Sequence, residues 1–461
     1  MGQNDKQSLF ATVPVPRALA TLAVPTIISQ LISVVYNMVD AFFIGRTGNS
    51  YMMAATTVTL TLLMMNVVFS NLYGVGGGSL IARLMGRQRF DEARQVSAFS
   101  LWASVRLGLC YSLLMAVFMN PVLRFLGASD DTILFSRQYC FFVIVLGTTP
   151  ILLSMTLAHL LRNAGYSSQA SLGLSGGGIL NMVLDPLFMF VLLPPGYEVV
   201  GAALATLLSN LAALCYLATA YRRAGRSAPL SMGLREARAL ERGNRKRLYA
   251  VGVPSAILTG LFDLASICVN ILSAAHSDLV LAGMGIVLKV ERVPNAINIG
   301  ICQGMLPLVA YNYASGNRAR MKETIRFGRK VGLCVAFAAI ALLEIFAYPA
   351  TNLFLNTSAG NAEAALKTVA YAAAFLRLRA LASPMQFLNY NSSYCMQAMG
   401  NGRETMLHAF VRELVFYIPF LFLLDRLFGE LGLASALLAG ESCGAAFALF
   451  LLHRVLKQHE P

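Results

Sequence analysis

Twelve apolar stretches, each longer than about 20 residues, succeed one another along this 461-residue chain with only short polar breaks between them. They fall at 19–44, 51–79, 95–119, 134–160, 168–193, 199–220, 249–275, 279–311, 325–348, 363–398, 405–427 and 430–453. Twenty helical residues rise about 30 Å, the depth of a bilayer's hydrocarbon core. A helix also satisfies its own backbone hydrogen bonds, which lipid cannot do for it. An all-α polytopic membrane protein with twelve transmembrane helices is therefore expected. With 57% hydrophobic and 13% charged residues, the chain has too little charge to coat a soluble surface of this size. The second, eighth and tenth stretches are long enough to tilt strongly or to run past the membrane. The first follows a polar segment holding Pro14 and Pro16 and is closed by no small-residue cleavage site, so it reads as a retained helix rather than a signal peptide.

The net charge of +14 raises the question of nucleic acid, and its distribution answers it. Of 36 Lys and Arg, 25 lie in the two termini, every second loop and their flanks, including Arg83, Arg87, Arg89, Arg94, nine residues from Arg222 to Arg247 and six from Arg318 to Lys330. The alternate loops carry five: Arg46, Arg124, Arg137, Lys367 and Arg426. This asymmetry is the positive-inside pattern and puts both termini in the cytoplasm. No basic domain interleaved with aromatics stands outside the spans, so no nucleic-acid partner is expected. The eight cysteines and five histidines are scattered singly, without metal-ligand or disulfide spacing, and no metal or cofactor is expected.

The longest polar run, 221–247, leaves six spans on each side. The halves share weak internal similarity, VPTI at 24–27 against VPSA at 253–256 and ARLMGR at 82–87 against NYASGN at 312–317, both spaced by about 230 residues. Six spans bring the chain back to the side on which it began, so the repeats are parallel, related by an axis along the membrane normal. The expected organisation is an N-terminal six-helix lobe (1–220), a basic cytoplasmic connector (221–248) and a C-terminal six-helix lobe (249–461). Two lobes with a cleft between them suit alternating access, and a transporter is the leading class.

Acids are rare in the spans. A carboxylate at mid-bilayer costs about 2.5–3.5 kcal/mol on insertion scales and usually faces the bundle interior. Asp40, in VVYNMVDAFF, follows Tyr36 by four residues and Asn37 by three, and both can share its helical face. Asp185, in NMVLDPLFMF, follows Asn181 by four. Pro186 removes a backbone donor, so the helix should bend there and free a carbonyl. Carboxylate, amide and carbonyl oxygens together are what a hard cation binds. A buried acid can also do no more than lock helix packing, although two acids with matching polar neighbours favour a functional role.

Several stretches resemble the multidrug and toxic compound extrusion (MATE) transporters, prokaryotic branch: VPTIISQLISVVYNMVDAFFIGRTG in the first span, NMVLDPLF in the fifth, GAALAT at 201–206 and QGMLPLVAYNYASGN at 303–317. The resemblance runs through nearly all twelve spans. It implies two six-helix lobes arranged as a V and efflux of lipophilic, cationic drugs or metabolites in exchange for H+ or Na+. It also implies that Asp40, Asn181 and Asp185 form the cation-coupling site, with Thr206 as a further candidate. Asp263, in LTGLFDLAS, resembles an acid that some branches carry in the seventh span. His159 stands where many relatives would have Asn and could titrate near neutral pH, although a lone histidine near a span end more often only packs. Glu291, with Lys289 and Arg292 beside it, reads as structural pairing or a gate. Among the twenty methionines, Met64 is a candidate for a pliable substrate lining. The glycine clusters at 74–78 and 176–178 follow no strand and carry no GKS or GKT, so they read as close helix contacts rather than phosphate loops.

Rival readings each lack a feature. The major facilitator loop signature is only half present in GSLIARLMGR. A lipid-linked oligosaccharide flippase of the same superfamily would want more cavity arginines than Arg106, Arg377, Arg379 and Arg412. A receptor would need a larger domain outside the spans, and an enzyme a nucleophile with its base. The expected partners are the lipid bilayer, a small-molecule substrate and a coupling cation, with the chain acting as a monomer.

Overall fold

The computed structural model describes residues 8–352 and 362–458, and among these it contains helices and no strand. The first half holds α1 (Val15–Arg46), α2 (Tyr51–Gly86), α3 (Phe90–Phe125), α4 (Ile133–Leu146 and Thr148–Asn163, bent by 46°), α5 (Ser167–Leu192) and α6 (Glu198–Ala224). In the second half come α7 (Arg242–His276), α8 (Asp278–Ala314), α9 (Arg318–Asn352) and α10 (Ala362–Ala380 with Ser383–Met399). The last helical stretch, Gly402–Gln458, is divided at Gly429, whose φ of 62° and ψ of −142° no helix accommodates. On either side of that glycine the chain runs back along itself: Arg412 bonds Glu441, and Gly440 packs on the Tyr417 backbone. It is therefore two spans, α11 (402–428) and α12 (430–458). Among the described residues twelve helical spans result, at the twelve apolar stretches of the sequence, with a short helix, Leu234–Ala239, in the basic segment between α6 and α7.

The three longest stretches are not straight rods. Near its middle α2 passes through a π-helical segment, Asn71–Val75. A break at Glu291 interrupts α8, and another at Leu381 and Ala382 interrupts α10. Breaks and π segments, rather than tilt alone, absorb the extra length.

The apolar cores define the shape. At the end carrying the basic loops, a single core draws Leu19 and Leu22 of α1, Leu80 of α2, Leu306 of α8, Met396 of α10 and Leu451 of α12 together, so both halves share it. Toward the opposite end the cores separate. One gathers Leu62, Leu123, Val143 and Val199 from the first half, and another gathers Met284, Phe375, Leu421 and Leu433 from the second. The result is a V, joined at the basic end and parted at the other.

Glycines make the joint. A Cβ on Gly300 of α8 would lie 2.8 Å from the Ile27 Cα of α1, and one on Gly252 of α7 would meet the Leu72 carbonyl of α2. Polar bonds cross the same joint: Arg162 Nη1 donates to Gln303 Oε1 at 3.0 Å, Asn71 Nδ2 to Thr259 Oγ1 at 2.8 Å, and Ser79 Oγ to the Gln397 carbonyl at 2.6 Å. The basic segment between α6 and α7 lies against α3, where Trp102 Nε1 donates to the Met232 carbonyl at 3.0 Å and the Ser231 amide to Ser97 Oγ at 2.9 Å.

Candidate functional site

The second glycine cluster places α5 between two neighbours. A Cβ on Gly177 would lie 2.9 Å from the Ala213 Cβ of α6, and one on Gly178 would lie 3.0 Å from the Tyr36 ring of α1. Such close approach needs residues without side chains, and it brings the polar positions of α1, α5 and α6 into one place. Asp185 is wholly buried there. Its Oδ1 accepts from Asn181 Nδ2 at 3.0 Å, one helical turn back, and the same amide nitrogen stands 3.5 Å from Thr206 Oγ1 of α6. The other oxygen, Asp185 Oδ2, is buried without a hydrogen-bond partner, as is Asp40 Oδ1.

Asp40 and Asp185 are close enough to feel each other's charge. Tyr139 of α4 is buried within electrostatic reach of both carboxylates and of Tyr36, and its hydroxyl neighbours Thr206. Sequence reasoning missed Tyr139, because nothing in SRQYCFF marks it and only tertiary packing brings it to α1 and α5. Asn37 spends its amide locally, donating to the Ser33 carbonyl at 2.6 Å. Pro186 sits in the last turn of α-helix before a π-helical segment, Phe188–Leu192, whose backbone packs on Gly201 of α6. The proline lacks the N–H that would bond the carbonyl four residues back.

Two carboxylates with a free oxygen each, together with the oxygens of Asn181, Thr206 and Tyr139, make an all-oxygen set. Such a set is chemically suited to a proton or a hard monovalent cation.

The remaining candidates lie elsewhere. His159 is half-buried in α4, packed on Gly74 so closely that a Cβ there would lie 2.8 Å from the imidazole. Met64 is half-buried on α2. In the second half, Asp263 of α7 is half-buried within electrostatic reach of Arg292 of α8. Glu291 does pair with a cation, but neither of its sequence neighbours. Its carboxylate takes both arms of Arg379 from the break in α10, Nε to Oε1 at 2.8 Å and Nη2 to Oε2 at 2.9 Å.

The MatE family model matches the chain twice, over residues 25–192 and 254–423, each match opening on a proline of the internal repeat. The chain belongs to the MatE family of transporters. One MatE match lies in the half before the basic segment and the other in the half after it. Among MatE relatives, the multidrug export protein MepA of Staphylococcus haemolyticus (strain JCSC1435) is 29% identical over 451 residues, covering 98% of this chain and 96% of that protein. A crystal structure of MATE in complex with MaL6 superposes with a TM-score of 0.90 at 22% identity, covering 98% of each chain. A structure described as the outward-facing conformation of a multidrug resistance MATE family transporter of the MOP superfamily gives the same TM-score, identity and coverage. The MatE assignment sets the major facilitator reading aside.

Proposed function

We propose that this MatE protein is a secondary active multidrug exporter that moves lipophilic, chiefly cationic, small molecules out of the cell in exchange for H+ or Na+. The observation that carries this reading is the pair Asp40 and Asp185, each with a buried oxygen that no protein donor satisfies. Asn181, Thr206 and Tyr36 serve as neutral neighbours of the ion, and Tyr139 closes the set. The basic end lies in the cytoplasm, in a bacterial inner membrane, so the V opens outward and drug leaves from this state. The moving bodies are the lobes 1–220 and 249–461, joined by the connector 221–248. Multidrug substrates are inferred from the MepA relatives, and cationic ones from the buried acids and an apolar wall containing Met64.

Coupling requires that ion and drug favour different states of the carrier. The test is ethidium transport by purified protein in liposomes, with pH and sodium gradients imposed separately. Uphill transport driven by one of these gradients, and lost when it is collapsed, supports the reading. Transport that ignores both gradients, or that is confined to anionic lipid-linked sugars, overturns it.

A further inference from the structure

The second lobe contains a polar cluster that the coupling site does not use. Arg412 and Glu413 stand side by side in a π-helical segment of α11, Val411–Tyr417. Glu441 comes from α12, where a Cβ on Gly444 would lie 3.2 Å from the Arg412 side chain, so the glycine lets α11 approach. Arg412 grips Glu441 with both arms, Nη2 to Oε1 at 2.6 Å and Nε to Oε2 at 3.1 Å. Asn389 Nδ2 of α10 adds a third donor to the same carboxylate at 2.6 Å. The Asn389 carbonyl oxygen takes His408 Nε2 at 2.9 Å, and His408 Nδ1 is bonded to Ser393 Oγ at 2.8 Å. Arg412, Glu413, Glu441, Asn389 and His408 are all at most 3% exposed. At about 1.5 Å per residue, Glu441 lies roughly 18 Å from the reversal at Gly429, near the middle of a bilayer.

The charges in this cluster do not balance. Two carboxylates face one guanidinium, and Glu441 already occupies its fork. Glu413 has a single ion pair among the described residues, its Oε1 standing 3.5 Å from the Arg412 Nε that Glu441 also uses. That Oε1 is buried with no hydrogen-bond partner. Other charged and titratable groups nearby offer no rescue. Tyr390 of α10 lies under the Arg412 guanidinium at 5.1 Å, Tyr417 follows one turn on, and the Arg379–Glu291 pair beyond it is internally neutral. A fully buried carboxylate without its own counter-charge is costly, and a bound proton removes that cost by turning the carboxylate into a carboxylic acid.

We propose that Glu413 is a proton-binding site of the second lobe, held beside the closed Arg412–Glu441–Asn389 network and separate from the Asp40–Asp185 site of the first. The site stands on the geometry of α10, α11 and α12 and does not depend on which acid couples transport.

Infrared spectroscopy of the full-length protein in lipid nanodiscs tests it, because a carboxylic acid carbonyl absorbs apart from carboxylate and amide groups. At neutral pH the wild-type spectrum should contain such a band, and Glu413→Gln should lose the component that survives in Asp40→Asn/Asp185→Asn. If Glu413→Gln fails to fold, Glu441→Gln serves instead. Removing that competing carboxylate frees Arg412 to pair with an ionised Glu413, and that component should again vanish. A component unchanged in either folded variant, or absent from the wild type, overturns the proposal.

Discussion

Gly304 of α8 lies so close to Ala23 of α1 that a Cβ on the glycine would stand 2.5 Å from the alanine Cα. The contact is backbone on backbone, so no rotamer change can relieve an added side chain. It sits in the core that both lobes share at the basic end. Overpacking of this kind costs about 1–3 kcal/mol, and at about 1.4 kcal/mol per decade it shifts a two-state balance from several-fold to more than a hundred-fold.

Gly304→Val should therefore bias the carrier away from the state closed at the basic end while leaving each lobe folded. Spin labels at Arg89 and Ala319, exposed in opposite lobes at that end, should report a longer distance population in the variant. An unchanged distance distribution, with the variant folded, contradicts this account of the joint.

The Glu291–Arg379 pair predicts an asymmetry between single and double substitutions. Both side chains are buried, so Glu291→Gln leaves a guanidinium without its partner, at a cost of about 3–5 kcal/mol. Replacing both by methionine removes both charges and should cost less than either single change. Thermal unfolding of the three variants in one lipid system measures it, and a double variant weaker than both singles rules the account out.

Topology can be read by labelling single cysteines in a background lacking the eight native ones. Ser129, exposed in the loop after α3, should react with an impermeant maleimide applied from outside. Thr357, an attractive second outer position in the sequence, lies outside the described residues. Ser227 is half-buried and bonded to the Tyr166 hydroxyl at 2.8 Å, so the exposed neighbour Arg226 is the better inner position. Arg226→Cys should react only after permeabilisation. Reaction from outside in intact cells would reverse the orientation and the outward-open reading with it.

Apolar length was the legible part of this fold. Each stretch wide enough for a bilayer became a span, and even the reversal at Gly429 separates two stretches already distinct in the sequence. Local spacing also reported correctly where partners are one turn apart, as with Asn181 and Asp185. Contacts across helices were not legible. Glu291 sits between two cations in the chain yet pairs with Arg379 on another helix, because burial and the break in α10 align that fork. Glu413 and Glu441 lie in different apolar spans, and nothing in the sequence says that the two meet. Only the α11–α12 hairpin shows that they flank one arginine. By the same reasoning that singled out Asp40 and Asp185, the high cost of an intramembrane carboxylate should have drawn attention to them.

The central claim is that Asp40 and Asp185 carry the coupling ion. In one-for-one exchange with a monocationic drug the membrane potential acts equally and oppositely on the two charges, so the ion's own concentration gradient drives transport. At about 1.4 kcal/mol per decade, a tenfold ion gradient sustains a drug gradient of about tenfold. The direct measurement is uphill ethidium transport by Asp185→Asn in liposomes under the gradient that drives the wild type. Asparagine is nearly isosteric and relieves a desolvation cost, so the variant should insert and fold. It should keep ethidium binding and lose concentrative transport, and adding Asp40→Asn should make it little worse, because one site is destroyed once. Transport at the wild-type rate by Asp185→Asn would contradict the claim and leave Asp185 a packing residue.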